Sequence, residues 1–188
     1  MMNLTFFAML AAVCAAAAPT ATYAQQAFGP SADVSAGLFV GGGGSFAERG
    51  GPALDGIVAL PLGRTRSGTL VAGVTAGISG PLMMGDLICR AGPNNSCISN
   101  YPTFVTVGAV AGVQRAIGAG LSARALAGPA YFQATDGDDT FGVQGRLDVA
   151  KPLIFHTALV ASLRGSLLPN YQGETLRYAT FGLGLRIQ

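Results

Sequence analysis

The stretch Tyr178–Gln188, YATFGLGLRIQ, carries the clearest structural signal in the chain. One set of alternate residues is Tyr178, Thr180, Gly182, Gly184 and Arg186, and the other is Ala179, Phe181, Leu183, Leu185 and Ile187. Successive side chains of a β-strand point to opposite faces of a sheet. Strict alternation therefore predicts a strand with one polar face and one apolar face, whereas helical periodicity is poor here and throughout the chain.

The same alternation recurs along the rest of the sequence. It is clear in residues 140–149 and 156–167, and weaker in residues 31–40, 53–61, 69–79, 103–114 and 119–131. Together with the last stretch, these segments predict eight strands of about 9 to 13 residues. That is the length that a tilted strand needs to cross a membrane.

The predicted connections alternate in length. The longer ones are Gly41–Gly51, Gly80–Tyr101, Phe132–Asp139 and Pro169–Glu174, and the shorter ones are Leu62–Ser67, Arg115–Gly118 and Lys151–Leu153. Short turns at one rim and longer loops at the other are typical of outer-membrane β-barrels. An even number of strands also places both ends of the chain at the same rim.

The composition indicates which face of the predicted sheet lies outside. Charged residues make up only 11% of the chain, against about 25% in ordinary soluble domains. A soluble lipocalin-like barrel would cover its exterior with charge, but the polar faces here carry Gly, Ser, Thr and isolated Arg or Asp. We therefore expect the polar face inside and the apolar face toward lipid, in a closed barrel, because an open sheet edge in hydrocarbon leaves backbone groups unsatisfied.

These patterns predict an all-β fold, namely a closed antiparallel up-and-down transmembrane β-barrel of about eight strands. The chain resembles the eight-stranded outer-membrane β-barrel families represented by the membrane domain of outer membrane protein A and by outer membrane protein X. The likeness is one of pattern and covers nearly all of residues 25–188. The closing strand is similar to the terminal assembly signal of such barrels, although it ends in Ile187 and Gln188 rather than in an aromatic residue.

The resemblance implies a monomer in the outer membrane of a Gram-negative-type bacterium, with outer-membrane lipid and the β-barrel insertion machinery as partners. We expect no nucleic-acid partner, because the net charge is only +2 and the sequence has no basic patch. The partner of the external loops is not identified by any motif.

The N-terminal segment has the layout of a secretory signal. Leu4–Ala18 is an uncharged apolar run closed by Pro19, and Thr22-Tyr23-Ala24 offers small residues before a cleavage point. The run of about 15 residues is shorter than the roughly 20 that a membrane-spanning helix needs. We predict a cleaved signal peptide over residues 1–24 and a barrel domain over residues 25–188.

Two cysteines remain after this cleavage, Cys89 and Cys97, and both lie in the longest predicted loop. An even number of cysteines in an oxidising compartment favours a disulfide between them. A metal site would need more ligands than the nearby Asp86 supplies.

Charged residues on the polar strand faces form the candidate functional constellation. Two interpretations are open: interior ion pairs that hold the barrel closed, or the lining of a small gated pore. We favour ion pairs, because eight strands leave little lumen. The residues are Asp33, Asp55, Arg124, Arg146, Asp148, Arg164 and Arg186.

No residue pattern predicts a catalytic, cofactor or metal site. Asp136–Asp139 could bind a divalent cation, but an acidic solvated turn is the preferred interpretation. His156, the only histidine, is followed by Thr157 and Ala158 instead of the nearby Ser that lipid A-modifying barrels place beside their His.

We therefore expect a non-enzymatic outer-membrane scaffold that presents extracellular loops in a structural, adhesion or envelope-integrity role. The alternatives are a lipid A-modifying enzyme, a small gated pore and a soluble lipocalin-like ligand-binding barrel.

Overall fold

The strands of the computed structural model close into a ring. The structure describes residues 29–43, 46–80, 87–89, 97–99, 103–118, 120–135, 139–154 and 156–188. The barrel strands are β1 (Ser31–Gly43), β2 (Phe46–Thr65), β3 (Gly68–Ser79), β6 (Phe104–Gly118), β7 (Leu121–Ala134), β8 (Thr140–Pro152), β9 (Thr157–Tyr171) and β10 (Glu174–Ile187). A separate two-stranded sheet consists of β4 (Leu87–Cys89) and β5 (Cys97–Ser99).

Every neighbouring pair in the ring is antiparallel, in the order β1, β10, β9, β8, β7, β6, β3 and β2, with β2 paired again to β1. The chain is thus an all-β, closed, up-and-down barrel of eight strands, as the sequence predicts. The predicted signal peptide falls within residues 1–28, which lie outside the described residues, so it stays a prediction. The described ranges contain no helix long and apolar enough to cross a membrane.

The polar faces of the strands line the interior. In β1, Ser31, Asp33 and Ser35 are buried, whereas Ala32 and Val34 between them are exposed. A lipocalin-like barrel has the reverse arrangement, so the alternation in this chain is that of a barrel with an apolar exterior.

Large apolar side chains form a belt around the outside, which we call the apolar belt. It includes Val34, Leu54, Val74, Val107, Phe141, Leu159 and Leu183, which are 47–72% exposed. On β7 the outward positions Ala123, Ala125 and Ala127 are small instead. A continuous apolar surface of this extent would aggregate in water unless another phase covered it.

The two rims differ, although less regularly than the sequence suggests. The turn rim holds the β2–β3, β6–β7 and β8–β9 connections, and the loop rim holds the other four. Gly41–Gly51 and Pro169–Glu174 were predicted as loops, and both predictions are wrong: strand pairing continues through Gly43↔Phe46 and Tyr171↔Glu174. The turn after β9 contains only Gln172 and Gly173, whose positive φ angles of 51° and 80° are typical of a tight hairpin.

Each barrel strand is longer than the segment predicted for it, and the observed lengths run from 12 to 20 residues. Backbone pairing continues beyond the apolar belt into segments whose two faces are both exposed, as in residues 62–65. Hydrophobic alternation ends where the burial contrast ends, so it underestimates the length of these strands.

The longest connection, between β3 and β6, contains the β4–β5 hairpin, which the sequence did not predict. Its register places Cys89 opposite Cys97. Directly opposed residues in an antiparallel pair have Cα atoms about 4.5–5.5 Å apart, within the range of about 4.4–6.8 Å that a disulfide needs.

We therefore expect Cys89 and Cys97 to be bonded in the mature protein. Intact-mass measurement of freshly isolated protein should show a gain of two hydrogens after reduction, and blocking with a thiol reagent should require that reduction. The Cys89→Ser variant, which leaves Cys97 free, is the matched control. Two reactive thiols in the untreated protein would contradict the pairing.

Candidate functional site

All seven charged residues of the predicted constellation point into the barrel and are buried. None is more than 6% exposed, and Arg124, Arg164 and Arg186 are among the largest fully buried side chains of the described residues. The structure brings them together as two groups at different heights in the interior. One, the turn-rim cluster, consists of Asp33, Arg124, Arg146, Asp148 and Arg186.

Two carboxylates hold three guanidinium groups in the turn-rim cluster. Arg186 donates from Nε to Asp33 Oδ1 and from Nη2 to Asp33 Oδ2, both at 2.9 Å. Asp148 Oδ1 accepts from Arg146 Nε at 2.7 Å, and Asp148 Oδ2 accepts from Arg124 Nε at 2.9 Å and from Arg124 Nη2 at 2.6 Å. Charge-assisted hydrogen bonds of this kind are the strong ones in protein interiors.

The register of neighbouring strands explains two of these ion pairs. A third pair forms because the closed ring places two distant strands opposite each other. Asp33 lies opposite Arg186, and Arg124 lies opposite Asp148, in directly paired strands. Arg124 also donates to Asp33 and, at 3.3 Å, to Ser31. Because β7 and β1 are four steps apart in either direction around the eight-stranded ring, the Arg124–Asp33 contact crosses the full width of the lumen.

The second group lies closer to the loop rim. Arg164 Nη1 on β9 is 2.6 Å from Asp55 Oδ1 on β2, again across the lumen. The angle at this contact is not that of a hydrogen bond, so the pair is an ionic contact. Asp55 Oδ2 also accepts from the Thr180 hydroxyl at 3.2 Å, and the Arg164 Cζ lies 5.8 Å from the ring centroid of Tyr178, within cation–π range.

Arg146 and Arg164 lie directly opposite each other on β8 and β9. Like charges in such positions repel. Here each guanidinium meets a different carboxylate, since Arg146 binds Asp148 and Arg164 binds Asp55. Because the two Arg side chains bind carboxylates in different groups, the repulsion between Arg146 and Arg164 is offset.

The interior has more positive charge than negative charge. Four Arg face three Asp among the buried charged residues of the described ranges. Several guanidinium nitrogens, including Arg146 Nη2, Arg186 Nη1 and Arg164 Nε, have no hydrogen-bond acceptor among the described residues. Asp33 and Asp148 are thus each shared between Arg residues, and the described part of the interior holds no spare carboxylate.

An aromatic cluster, which we call the aromatic plug, fills the interior under the loop rim. Phe104 is its centre, with ring centroids 5.3 Å from Tyr171, 5.9 Å from Tyr178 and 6.3 Å from Phe132, and Phe39 lies 6.5 Å from Tyr178. Phe104 and Phe132 are completely buried. This cluster was not predicted from the sequence. The alternation does place Phe39 on the same strand face as Asp33, and Tyr178 on the same strand face as Arg186.

The other candidate residues lie away from this interior. His156 is exposed in the β8–β9 connection at the turn rim, with a φ of 61°. Asp136 and Asp138 fall outside the described residues, and Asp139 is exposed and accepts a hydrogen bond from the Tyr131 hydroxyl. Within the described ranges, no three His, Cys, Asp or Glu residues are grouped so that they could hold a metal ion.

Replacing Asp148 should destabilise the barrel strongly. Asp148→Ala leaves three buried guanidinium groups with Asp33 alone, and an uncompensated buried charge costs about 3–5 kcal/mol. The measurement is urea unfolding in lipid vesicles, followed by tyrosine fluorescence and by gel mobility. Adding Arg146→Met should recover much of the loss, whereas Asp139→Asn, at an exposed site, should cost no more than about 1 kcal/mol. A raised ion conductance in planar bilayers with an unchanged unfolding midpoint would instead indicate a gated pore.

Gly77 on β3 makes room for the second group of charges. A Cβ at this position would lie 2.3 Å from Asp55 Oδ1 and 2.9 Å from Arg164 Nη1. Gly77→Ala should therefore displace the Asp55–Arg164 pair and cost about 1–3 kcal/mol, as overpacking does. Gly145→Ala is the control, because its nearest neighbour would be Leu126 O at 4.0 Å. Equal unfolding midpoints for the two variants would show that the pair does not depend on Gly77.

Comparisons with known proteins bear on the fold. No family model and no curated protein matches the chain. Neisserial surface protein A (NspA) matches in structure with a TM-score of 0.58 and 13% identity, over 85% of this chain and 97% of that one. Ail, the attachment invasion locus protein of Yersinia pestis, matches with a TM-score of 0.44 and 14% identity, over 85% of this chain and 100% of that one, which is too weak to indicate a shared fold by itself. With its ring of eight strands and its likeness to NspA, the chain has the fold of the eight-stranded outer-membrane β-barrels.

Proposed function

We propose that this protein is a non-enzymatic β-barrel of the bacterial outer membrane, a scaffold that presents the connections of its loop rim at the cell surface. The observation that carries the proposal is the apolar belt around a polar, ion-paired interior. Side chains such as Val34, Leu38 and Leu183 are 56–62% exposed, and only hydrocarbon would cover a ring of them at no cost in free energy.

The filled interior favours a scaffold over a pore. Arg124–Asp33 joins opposite walls, Arg164–Asp55 joins two strands that are three steps apart in the ring, and the aromatic plug occupies the space toward the loop rim. Ions would have to break buried ion pairs and move packed rings to pass. The interior is therefore suited to holding the barrel closed.

The position of His156 favours a non-enzymatic role. A lipid A-modifying enzyme of the outer membrane needs its His and Ser near the outer rim, where the lipid A headgroup lies. His156 is at the turn rim, at the opposite end of the barrel from the β4–β5 hairpin.

The loop rim supports the surface-presenting part of the proposal. The β3–β6 connection, with its own hairpin, is the longest link between barrel strands, and it emerges at this rim. NspA, which shares the fold, is described by its name as a surface protein. A role at the cell surface is thus in keeping with the architecture.

A pair of charge insertions tests the membrane placement. Leu183 is in the middle of β10, and Leu62 is near the turn-rim end of β2. Both side chains point outward and are 56% and 67% exposed, respectively. The test replaces each of them with Arg. In a bilayer, Arg should cost about 2–4 kcal/mol at the midplane and about 0–1 kcal/mol near the interface. Urea unfolding in vesicles measures both.

Cell fractionation completes the test. The unaltered protein should be found in the outer membrane and should migrate differently on gels before and after heating. Recovery from the periplasm without detergent, together with equal tolerance of the two Arg substitutions, would contradict the proposal.

A further inference from the structure

The charged side chains outside the barrel interior are divided unequally between the two rims. Four cations lie at the turn rim, and we call them the basic rim: Arg64, Arg66, Arg115 and Lys151. No exposed Asp or Glu of the described residues lies at this rim, because Asp33 and Asp148 of the turn-rim cluster are buried in the interior. At the loop rim, by contrast, the described side chains include the acidic Asp139 and Glu174 as well as Arg177.

Three of these cations form an arc along the outer surface. Arg66 lies in the β2–β3 turn, Arg115 is on β6, and Lys151 is on β8. Arg115 pairs in register with Ala123, and Lys151 with Leu159, both on the outward face. None of the three forms an ion pair with another described residue.

Arg115 and Lys151 lie among exposed apolar residues near the turn-rim end of the apolar belt. Lys151 is next to Leu159 across the strands and two residues from Val149, which are 47% and 42% exposed. Arg115 is two residues from Ile117, which is 39% exposed. Long cationic side chains at such an edge keep their methylene groups on apolar surface while the charge reaches the polar boundary.

We propose that the basic rim binds the phosphate groups of anionic phospholipids in the leaflet around the turn rim. This inference rests on the proposed membrane placement, since only then does a ring of headgroups surround the arc. Phosphates at this height would meet several cations and no side-chain carboxylate of the described residues. Attraction of this kind is worth roughly five-fold for each Lys or Arg near an anionic surface, so a headgroup that meets one cation of the arc is favoured by up to about five-fold.

Lipid selectivity in reconstituted bilayers tests the proposal. Protein extracted from membranes is reconstituted in phosphatidylcholine with a trace of spin-labelled phosphatidylglycerol or spin-labelled phosphatidylcholine. The fraction of each label that the protein immobilises gives their relative association constant. We expect a preference for phosphatidylglycerol of roughly three- to five-fold at low salt, falling toward one at 1 M salt, where the Debye length is about 3 Å.

The triple variant Arg66→Gln, Arg115→Gln, Lys151→Gln should lose the preference while keeping the heat-dependent gel mobility of the folded barrel. Arg177→Gln, an exposed position at the loop rim, is the matched control and should keep the preference. A folded, reconstituted barrel without selectivity for phosphatidylglycerol, or a triple variant that retains it, would overturn the lipid site alone. A protein that does not enter bilayers at all would overturn the membrane placement itself.

Discussion

The hydrogen bonds between β1 and β10 leave the barrel without a free strand edge, and the other features of the molecule follow from this closure. The pairing runs from Ala32↔Ile187 to Gly42↔Arg177, so the first and last barrel strands are joined along most of their length. Closure therefore leaves no edge with a row of unpaired backbone groups, which is the condition for a wall surrounded by hydrocarbon. A ring of eight strands also encloses a narrow interior, so half of all wall side chains must fit there.

This narrow space explains the chemistry of the interior. Buried guanidinium groups are costly unless carboxylates and further hydrogen bonds meet them. The contacts Arg124–Asp33 and Arg164–Asp55 meet this need across the lumen, between strands that do not pair. They also oppose a change of register, because a slip of one residue in β1 would move Asp33 from the interior onto the apolar belt.

Alternation in the sequence was enough to predict the ring, because burial on one face and exposure on the other impose the period of two that defines each strand. It assigned Asp33, Asp148 and Arg186 to the interior for the same reason. Alternation could not show that Arg124 reaches Asp33, since that contact depends on which strands face each other across the lumen. It also failed at strand ends such as residues 62–65, where no burial contrast accompanies the backbone pairing, and it did not predict the short β4–β5 hairpin.

Tyr178 links the two halves of the interior. Its ring stacks on Phe104 at an interplanar angle of 7°, its hydroxyl lies 3.2 Å from the Thr106 hydroxyl, and its face meets the Arg164 guanidinium. The aromatic plug lies between the ion pairs and the water at the loop rim, and ion pairs are stronger where water is excluded. Tight packing of the aromatic plug thus strengthens the ion pairs below it by excluding water. Arg164, held by Asp55, in turn fixes one face of Tyr178, so the apolar and ionic parts of the interior stabilise each other.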